Sequence, residues 1–335
     1  MDGVTRRHEL LERVPGLALA TGIAIVATAF GHVVPIVGGP VSGIIIGVVL
    51  ATMLRPAARL RIGIRTASKW VLQLSVVVLG SQLSLAQIAK VGLESLPVMI
   101  GTLVACLAAA WLIGRRLGIA GNLRTLIGVG TGVCGASAIA AVTPVIGAVG
   151  FDVAYAISTI FLFNIAAVLA FPIIGHLLGL SQHAFGLFAG TAVNDMSSVV
   201  ATATTYGSAA ANYAVVVKLV RTLMIIPISF GLAAWAGRRD AARTRVNVLR
   251  LVPWFLIGFI LVAAANSIGL IPAGAHSGLT TASVFLITIA LSAVGLSTDL
   301  AGFRRAGAKP LILGASLWVI ASLTSLGLQF ATGLT

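Results

Sequence analysis

Residues 128–150 read GVGTGVCGASAIAAVTPVIGAVG. The stretch is long and apolar enough for a membrane span, which needs roughly 20 mostly apolar residues. Yet Gly128, Gly130, Gly132 and Gly135 crowd its first half and Pro144 follows, so a continuous helix is weakened at its centre. Unwound backbone is tolerated at that depth only where protein covers it or a cavity is lined by it. A half-helix starting near Ala136 would aim free N–H groups and its positive dipole end at an anion, with Thr131, Cys134 and Ser137 as weak donors. The competing explanation is close helix packing through Gly128, Gly132 and Ala136.

The rest of the chain sets that stretch in a bilayer. Of 335 residues, 59% are apolar and 9% charged, with mean hydropathy +1.09. Soluble domains carry about a quarter charged residues, so a soluble enzyme and a disordered chain are both excluded. The pattern predicts an all-α polytopic membrane protein, one transmembrane transporter domain over 1–335 behind a cytoplasmic segment 1–16. About eleven spans are expected, near 17–34, 38–54, 68–87, 95–114, 125–148, 153–174, 184–206, 213–236, 251–270, 280–298 and 310–332. No loop is long enough for an ATP-hydrolysing domain, and no G-x-x-x-x-G-K-[ST] motif is present.

The formal net charge is +14, which in a soluble protein would suggest nucleic acid. Here the distribution explains it. With the N-terminus in the cytoplasm and the C-terminus in the periplasm, nineteen of the 22 basic residues fall in inside segments: Arg6 to Arg13, Arg55 to Lys69, Arg115 to Arg124, Arg238 to Arg250 and Arg304 to Lys309. That is the positive-inside asymmetry, and such residues also meet anionic lipid headgroups. Only Lys90 falls outside, while Lys218 and Arg221 lie within a span. The loop 175–183 is expected inside yet carries no Lys or Arg. Arg6 and Arg7 before an apolar run resemble a signal peptide, but Glu9 and Glu12 fit that poorly, so the first span is taken as retained. Cys106 and Cys134 fall in spans, without a disulfide pattern. No spacing of the five histidines suggests a metal site.

Shifting the sequence by 215 residues aligns segments 66–92 and 281–307, matching Thr66-Ala67-Ser68 with Thr281-Ala282-Ser283 and Gly80 with Gly295. The two copies would run antiparallel, as in the inverted repeats of secondary transporters. A second likeness joins Gly130-Thr131-Gly132-Val133-Cys134-Gly135-Ala136-Ser137 to Gly190-Thr191-Ala192-Val193-Asn194-Asp195-Met196-Ser197, a shift of 60. With eleven spans both stretches run the same way. Either small-residue composition produces the match, or the span count is wrong between them.

The seventh span holds Asn194, Asp195 and Ser198 near mid-bilayer, where a carboxylate is costly unless paired, protonated or wetted. The eighth supplies Lys218 and Arg221, three residues apart and so on one helix face. Asp195 paired with either base would leave one cation for an anionic substrate. The competing explanation is a structural ion pair with the other base snorkelling outward. Asp299, beside Arg304 and Arg305, is expected to cap or pair at an interface. Gln73, Gln82 and Asn164 are expected to hydrogen-bond between helices, and Trp70, Trp235 and Trp254 to anchor span ends.

The runs TGVCGASAIAAVTPVIGA (131–148), AGTAVNDMSSVVATA (189–203), VKLVRTLMIIPISF (217–230) and VGLSTDLAGFRRAGAKPLILGASLW (294–318) resemble the YeiH-type family of bacterial inner-membrane proteins, which carries the label of sulfate exporters. The resemblance covers about 36 to 330 and implies a multispan secondary carrier in the inner membrane. Where family members often place His before an acidic residue, this chain has Asn194-Asp195, which leaves Asp195 as the titrating group.

The combined expectation is a secondary transporter, not an enzyme, exporting a small inorganic or sulfonated anion such as sulfate or sulfite. Lys218, Arg221, Asn194, Asp195, Ser198, Thr131, Cys134 and Ser137 would line the site, and Asp195 would couple transport to a proton or Na⁺. No cofactor, metal or nucleic acid is expected; the bilayer and, as an open option, a second copy of the chain are the partners. The alternative is a cation/proton antiporter-like carrier using Asp195 and Lys218.

Overall fold

A computed structural model describes residues 2–33, 38–54, 57–236, 253–272, 274–297 and 308–334. Arg55, the basic stretch 238–250, Asp299, Arg304, Arg305 and the repeat columns 300–307 lie outside these residues, as do the side chains of Arg6, Arg7 and Trp235.

In chain order the helices are α1 (Asp2–Val33), α2 (Gly38–Leu54) and α3 (Ala58–Thr66), which runs through a π-helical turn (Ala67–Val71) into α4 (Leu72–Leu79). Next come α5 (Leu85–Arg116), α6 (Gly121–Gly132), α7 (Ala136–Ile146), α8 (Gly150–Leu177), α9 (Gln182–Ala192) and α10 (Met196–Tyr206). The chain continues through α11 (Ser208–Leu223), α12 (Ile225–Ala236), α13 (Trp254–Ser267), α14 (Ala275–Leu296) and α15 (Ala308–Thr332). The described residues contain no strand. Among the described residues seven helical stretches are long and apolar enough to cross a bilayer: Glu12–Gly31, Arg59–Gln82, Leu85–Arg116, Gly150–Leu177, Ser208–Ser229, Ala275–Leu296 and Ala308–Thr332. On α5 the exposed apolar residues Leu93, Ile100, Val104 and Trp111 recur at helical spacing. In water such a strip would be a liability, whereas lipid tails accept it. These features make the chain a polytopic helical membrane protein.

The chain divides into two compact units, one of residues Met1–Gln87 and Trp254–Leu300, the other of Ile88–Pro253 and Ala301–Thr335. In the first unit α2 and α14 approach closely through Gly43, Gly47 and Gly295; a Cβ on Gly43 would lie 2.6 Å from Ser292 Oγ. Small residues at such contacts let helix backbones come together where water supplies no hydrophobic drive. Helices α4 and α14, which carry the first parts of the segments paired by the 215-residue shift, run antiparallel here: Ser283 Oγ donates to Ser75 O at 3.1 Å and, just beyond α4, Gln82 Nε2 to the His276 carbonyl at 3.3 Å. Trp254 stacks on Trp70 (5.7 Å between centroids) and donates through Nε1 to Gln73 Oε1 at 2.8 Å. Gln73 and Gln82 therefore tie helices together as expected.

The second unit holds the interrupted helices. Here α8 and α15 run parallel, with Gly314 against Thr159 and Phe163, and Trp318 against Phe163 and Phe171. Helix α5 runs antiparallel to α15, with Gly101 at Leu328 and Gly114 at Leu313. Against α8 and α15 pack α6, α7, α9 and α10, of 12, 11, 11 and 11 residues. At about 1.5 Å per residue each reaches only about halfway through a hydrocarbon core of roughly 30 Å.

The short helices double back. A Cβ on Gly130 of α6 would lie 3.0 Å from Ile139 Cδ1 of α7, a proximity that nine residues of continuing helix, rising about 13 Å, would forbid. After α7 the chain needs only residues 147–149 to begin α8. The α9–α10 pair closes more visibly. Tyr206 at the end of α10 donates its hydroxyl to Leu180 O at 2.5 Å, just before α9, and stacks on Phe185 at 3.8 Å. Thus α6–α7 starts and ends beside the N-terminal end of α8, and α9–α10 beside its C-terminal end. The spans expected at 125–148 and 184–206 are interrupted where the sequence indicated, but each returns to the side it came from. The 60-residue likeness therefore joins two re-entrant hairpins of opposite direction, which resolves the choice left open by the sequence.

Candidate functional site

The hairpin tips are residues 133–135 and 193–195. They touch: a Cβ on Gly135 would lie 3.2 Å from Asp195 Cβ. Gly135 has φ 68° and ψ −130°, a conformation open essentially to glycine alone. The shift of 60 makes Gly135 the counterpart of Asp195, so one tip carries a carboxylate and the other the space it occupies.

Lys218 and Arg221 of α11 reach this junction, and both are 0% exposed. Lys218 Nζ donates to Val133 O at 2.9 Å and Val193 O at 2.7 Å. Arg221 Nη2 donates to Thr131 O at 3.2 Å, Nη1 to Thr191 O, and Nε to Gly132 O at 2.6 Å. Val133 and Val193 are equivalent under the shift of 60, and so are Thr131 and Thr191. Each base therefore grips corresponding carbonyls of both hairpins. Val133 and Val193 are also the C-caps of α6 and α9.

The physical reason lies in the interruption. Each broken helix ends with carbonyls that lack an intrahelical partner, and a bilayer offers no water to satisfy them. A buried cation is costly in turn unless hydrogen-bonded. Carbonyls at the negative ends of two half-helices meet both needs together. The sequence suggested Asp195 as the partner of one base. Among the described residues the ion pair within 4.0 Å is Lys90–Glu94 on α5, exposed and remote from the tips, and Asp195 serves otherwise. Asp195 is the N-cap of α10, its Oδ1 accepting from Ser198 N at 3.2 Å and its Oδ2 from Ser197 Oγ. On the other hairpin Cys134 occupies the place of Asn194 and is buried.

Asn164, in the middle of α8, completes the junction. Its Oδ1 accepts from Asn194 N at 3.2 Å, while its Nδ2 is buried without a partner. Asn194 Oδ1 is likewise buried and unpartnered; both residues are 1% exposed. Thr191 Oγ1 and Ser325 Oγ lie 2.6 Å apart, and Gln329 Nε2 donates to Ser325 Oγ at 3.1 Å, tying α15 to the α9 tip. The structure thus gathers Lys218, Arg221, Asn194, Asp195, Ser198, Thr131 and Cys134 at one junction. Ser137 stands exposed on the first turn of α7, and Thr131 contributes its carbonyl. Asn164 hydrogen-bonds to another element as expected; its place at the hairpin tips is what the sequence did not show. No group of three or more His, Cys, Asp or Glu able to hold a metal occurs among the described residues.

Two oppositely directed re-entrant hairpins joined at their tips by buried bases define a polytopic membrane protein of inverted-hairpin architecture. The chain belongs to the family described as conserved hypothetical protein 698, the YeiH-type proteins, whose model matches residues 15–314. It is 40% identical to a UPF0324 membrane protein of Streptococcus pyogenes serotype M3, covering 97% of this chain and 98% of that one. It is also 40% identical to UPF0324 membrane proteins of Streptococcus mutans serotype c and of Fusobacterium nucleatum, over 96% and 95% of this chain and 98% of each relative.

Proposed function

We propose that this protein is a secondary transporter that exports a small inorganic or sulfonated oxyanion, sulfate or sulfite among the candidates, across the bacterial inner membrane. The observation that carries the reading is the pair of buried cations at the hairpin junction without a carboxylate within 4.0 Å among the described residues. Inverted half-helices meeting near the midplane, with N-termini turned toward the substrate, are how such carriers hold anionic groups. Five of the eight N–H groups on Lys218 and Arg221 are spent on carbonyls. The remaining three, with the free N–H groups of α7 and α10, are the anion's partners.

The cation-carrier alternative is weakened by the same contacts. In cation-coupled carriers the C-terminal carbonyls of half-helices coordinate the ion, and here Lys218 and Arg221 occupy those carbonyls. Asp195 is the titratable acid at the tips and the proposed coupling group. Asp195→Asn is expected to keep anion exchange while losing its drive by a pH gradient; a retained pH-driven gradient would remove Asp195 from that role.

A ligand stabilises the state it binds, so thermal-shift measurements on purified protein separate the two readings. Sulfite, sulfate and sulfonates should raise the melting temperature and Na⁺ or K⁺ at matched ionic strength should not. Stabilisation by the cations alone would overturn the anion reading in favour of the antiporter-like one.

A further inference from the structure

We infer that the tip site is built for a monovalent oxyanion that carries its own N–H or O–H donor, in preference to a bare dianion. The inference rests on the anion reading above and narrows its substrate class.

Charge is the first ground. The four helix ends that meet at the tips oppose one another, the C-termini of α6 and α9 bearing about −0.5 charge each and the N-termini of α7 and α10 about +0.5 each. Their sum is near zero. What remains is Lys218, Arg221 and Asp195, which sum to a single positive charge when all three are ionised. In a medium that screens poorly, one negative charge is matched and two are not. A dianion would also sit beside the Asp195 carboxylate, which abuts Gly135 on the opposite tip.

The hydrogen-bonding inventory is the second ground, and it is independent of charge. Asn194 Oδ1 and Asn164 Nδ2 are buried and unpartnered. Asn164 reaches the tip itself, since its Oδ1 accepts from Asn194 N. Buried polar groups are almost always satisfied, and an orphan asks for a partner. Asn164 Nδ2 is a donor and suits an oxyanion oxygen. Asn194 Oδ1 is an acceptor and repels one. An anion that presents oxygens to Asn164, α7 and α10 and an N–H or O–H to Asn194 satisfies both; sulfate satisfies one.

Sulfamate and methanesulfonate provide the test, being monoanions of nearly the same size that differ by an N–H donor. Purified full-length protein is titrated with sulfamate, methanesulfonate and sulfate, and the half-saturating concentrations are read from thermal shifts. A site made to hydrogen-bond a donor discriminates strongly against the analogue without it. The expected result is about tenfold or tighter half-saturation by sulfamate than by methanesulfonate, with sulfate the weakest. Asn194→Leu, which removes the acceptor at similar volume, should bring sulfamate and methanesulfonate within about twofold while methanesulfonate still binds. The wild-type comparison stands even if that variant fails to fold. Equal binding of sulfamate and methanesulfonate by wild type, or tighter binding of sulfate, overturns the inference and leaves the anion reading intact. No shift with any of the three anions overturns the anion reading itself.

Discussion

At the scale of single residues, Lys218 and Arg221 have two tasks that the sequence could not separate. They satisfy carbonyls stranded by the helix breaks, and they leave positive charge at the junction. Arg221 reaches Thr131, Gly132 and Thr191 through the planar fork of its guanidinium. A lysine ammonium is a point donor and cannot span three carbonyls. Arg221→Lys should therefore keep the charge yet leave buried carbonyls unpaired, each costing about 1–3 kcal/mol. The expected result is a melting temperature several degrees lower; an unchanged melting temperature would mean that the carbonyl contacts carry little of the tip's stability. Gly135→Ala tests the other tip. Its positive φ and the proximity of Asp195 set a cost of about 1–3 kcal/mol for any side chain, so anion binding should weaken at least severalfold while Gly147→Ala, with open space around it, perturbs the tip far less. Equal effects at the two glycines would argue against a special tip conformation.

At the scale of elements, the breaks were legible and their direction was not. Gly128 to Gly135 announced an interrupted helix because glycine weakens an apolar span, and Asn194-Asp195 marked a functional position because buried charge is expensive there. Hydropathy, however, reports that residues are in the membrane and not whether the chain continues or turns back. Two helices of about half-span length read as one full span when a three-residue tip joins them. The 60-residue likeness held the missing information, since equivalent tips imply hairpins, but the assumption of full crossings gave both copies the same direction. Asn164 was legible as a hydrogen-bonding amide but its partner was not, because Asn194 N stands on a tip that only the returning chain creates. The sequence did place Lys218, Arg221, Asn194 and Asp195 together, because intramembrane polar residues are too costly to be incidental. The hairpins predict sidedness. With the N-terminus inside, cysteine introduced at Ala148 should react with a membrane-impermeant maleimide from the cytoplasm and cysteine at Ser181 from outside. The native Cys106 and Cys134 are buried and give little background. Full crossings at 125–148 and 184–206 would produce the reverse pattern.

At the scale of the whole molecule, the described residues hold, besides the two returning hairpins, seven helical stretches long and apolar enough to cross and the shorter apolar α2 and α13. If all nine cross, the number is odd, and the cytoplasmic N-terminus expected from the basic residues goes with a periplasmic C-terminus. That count also moves the loop 175–183, without Lys or Arg, to the outside, in exchange for the connection 147–149, which is too short to bias orientation. The +14 charge is then mostly an orientation signal, and the functional part is confined to Lys218 and Arg221 against Asp195. The account stands or falls on whether those two buried bases serve an anion. Efflux of labelled sulfite from proteoliposomes tests this most directly, with wild type, Lys218→Ala and Arg221→Ala reconstituted to equal density and checked for monodispersity. Flux well above empty vesicles is expected for wild type, with loss of at least tenfold in both variants; flux undiminished in both, from folded protein, would mean that the buried bases serve no anion.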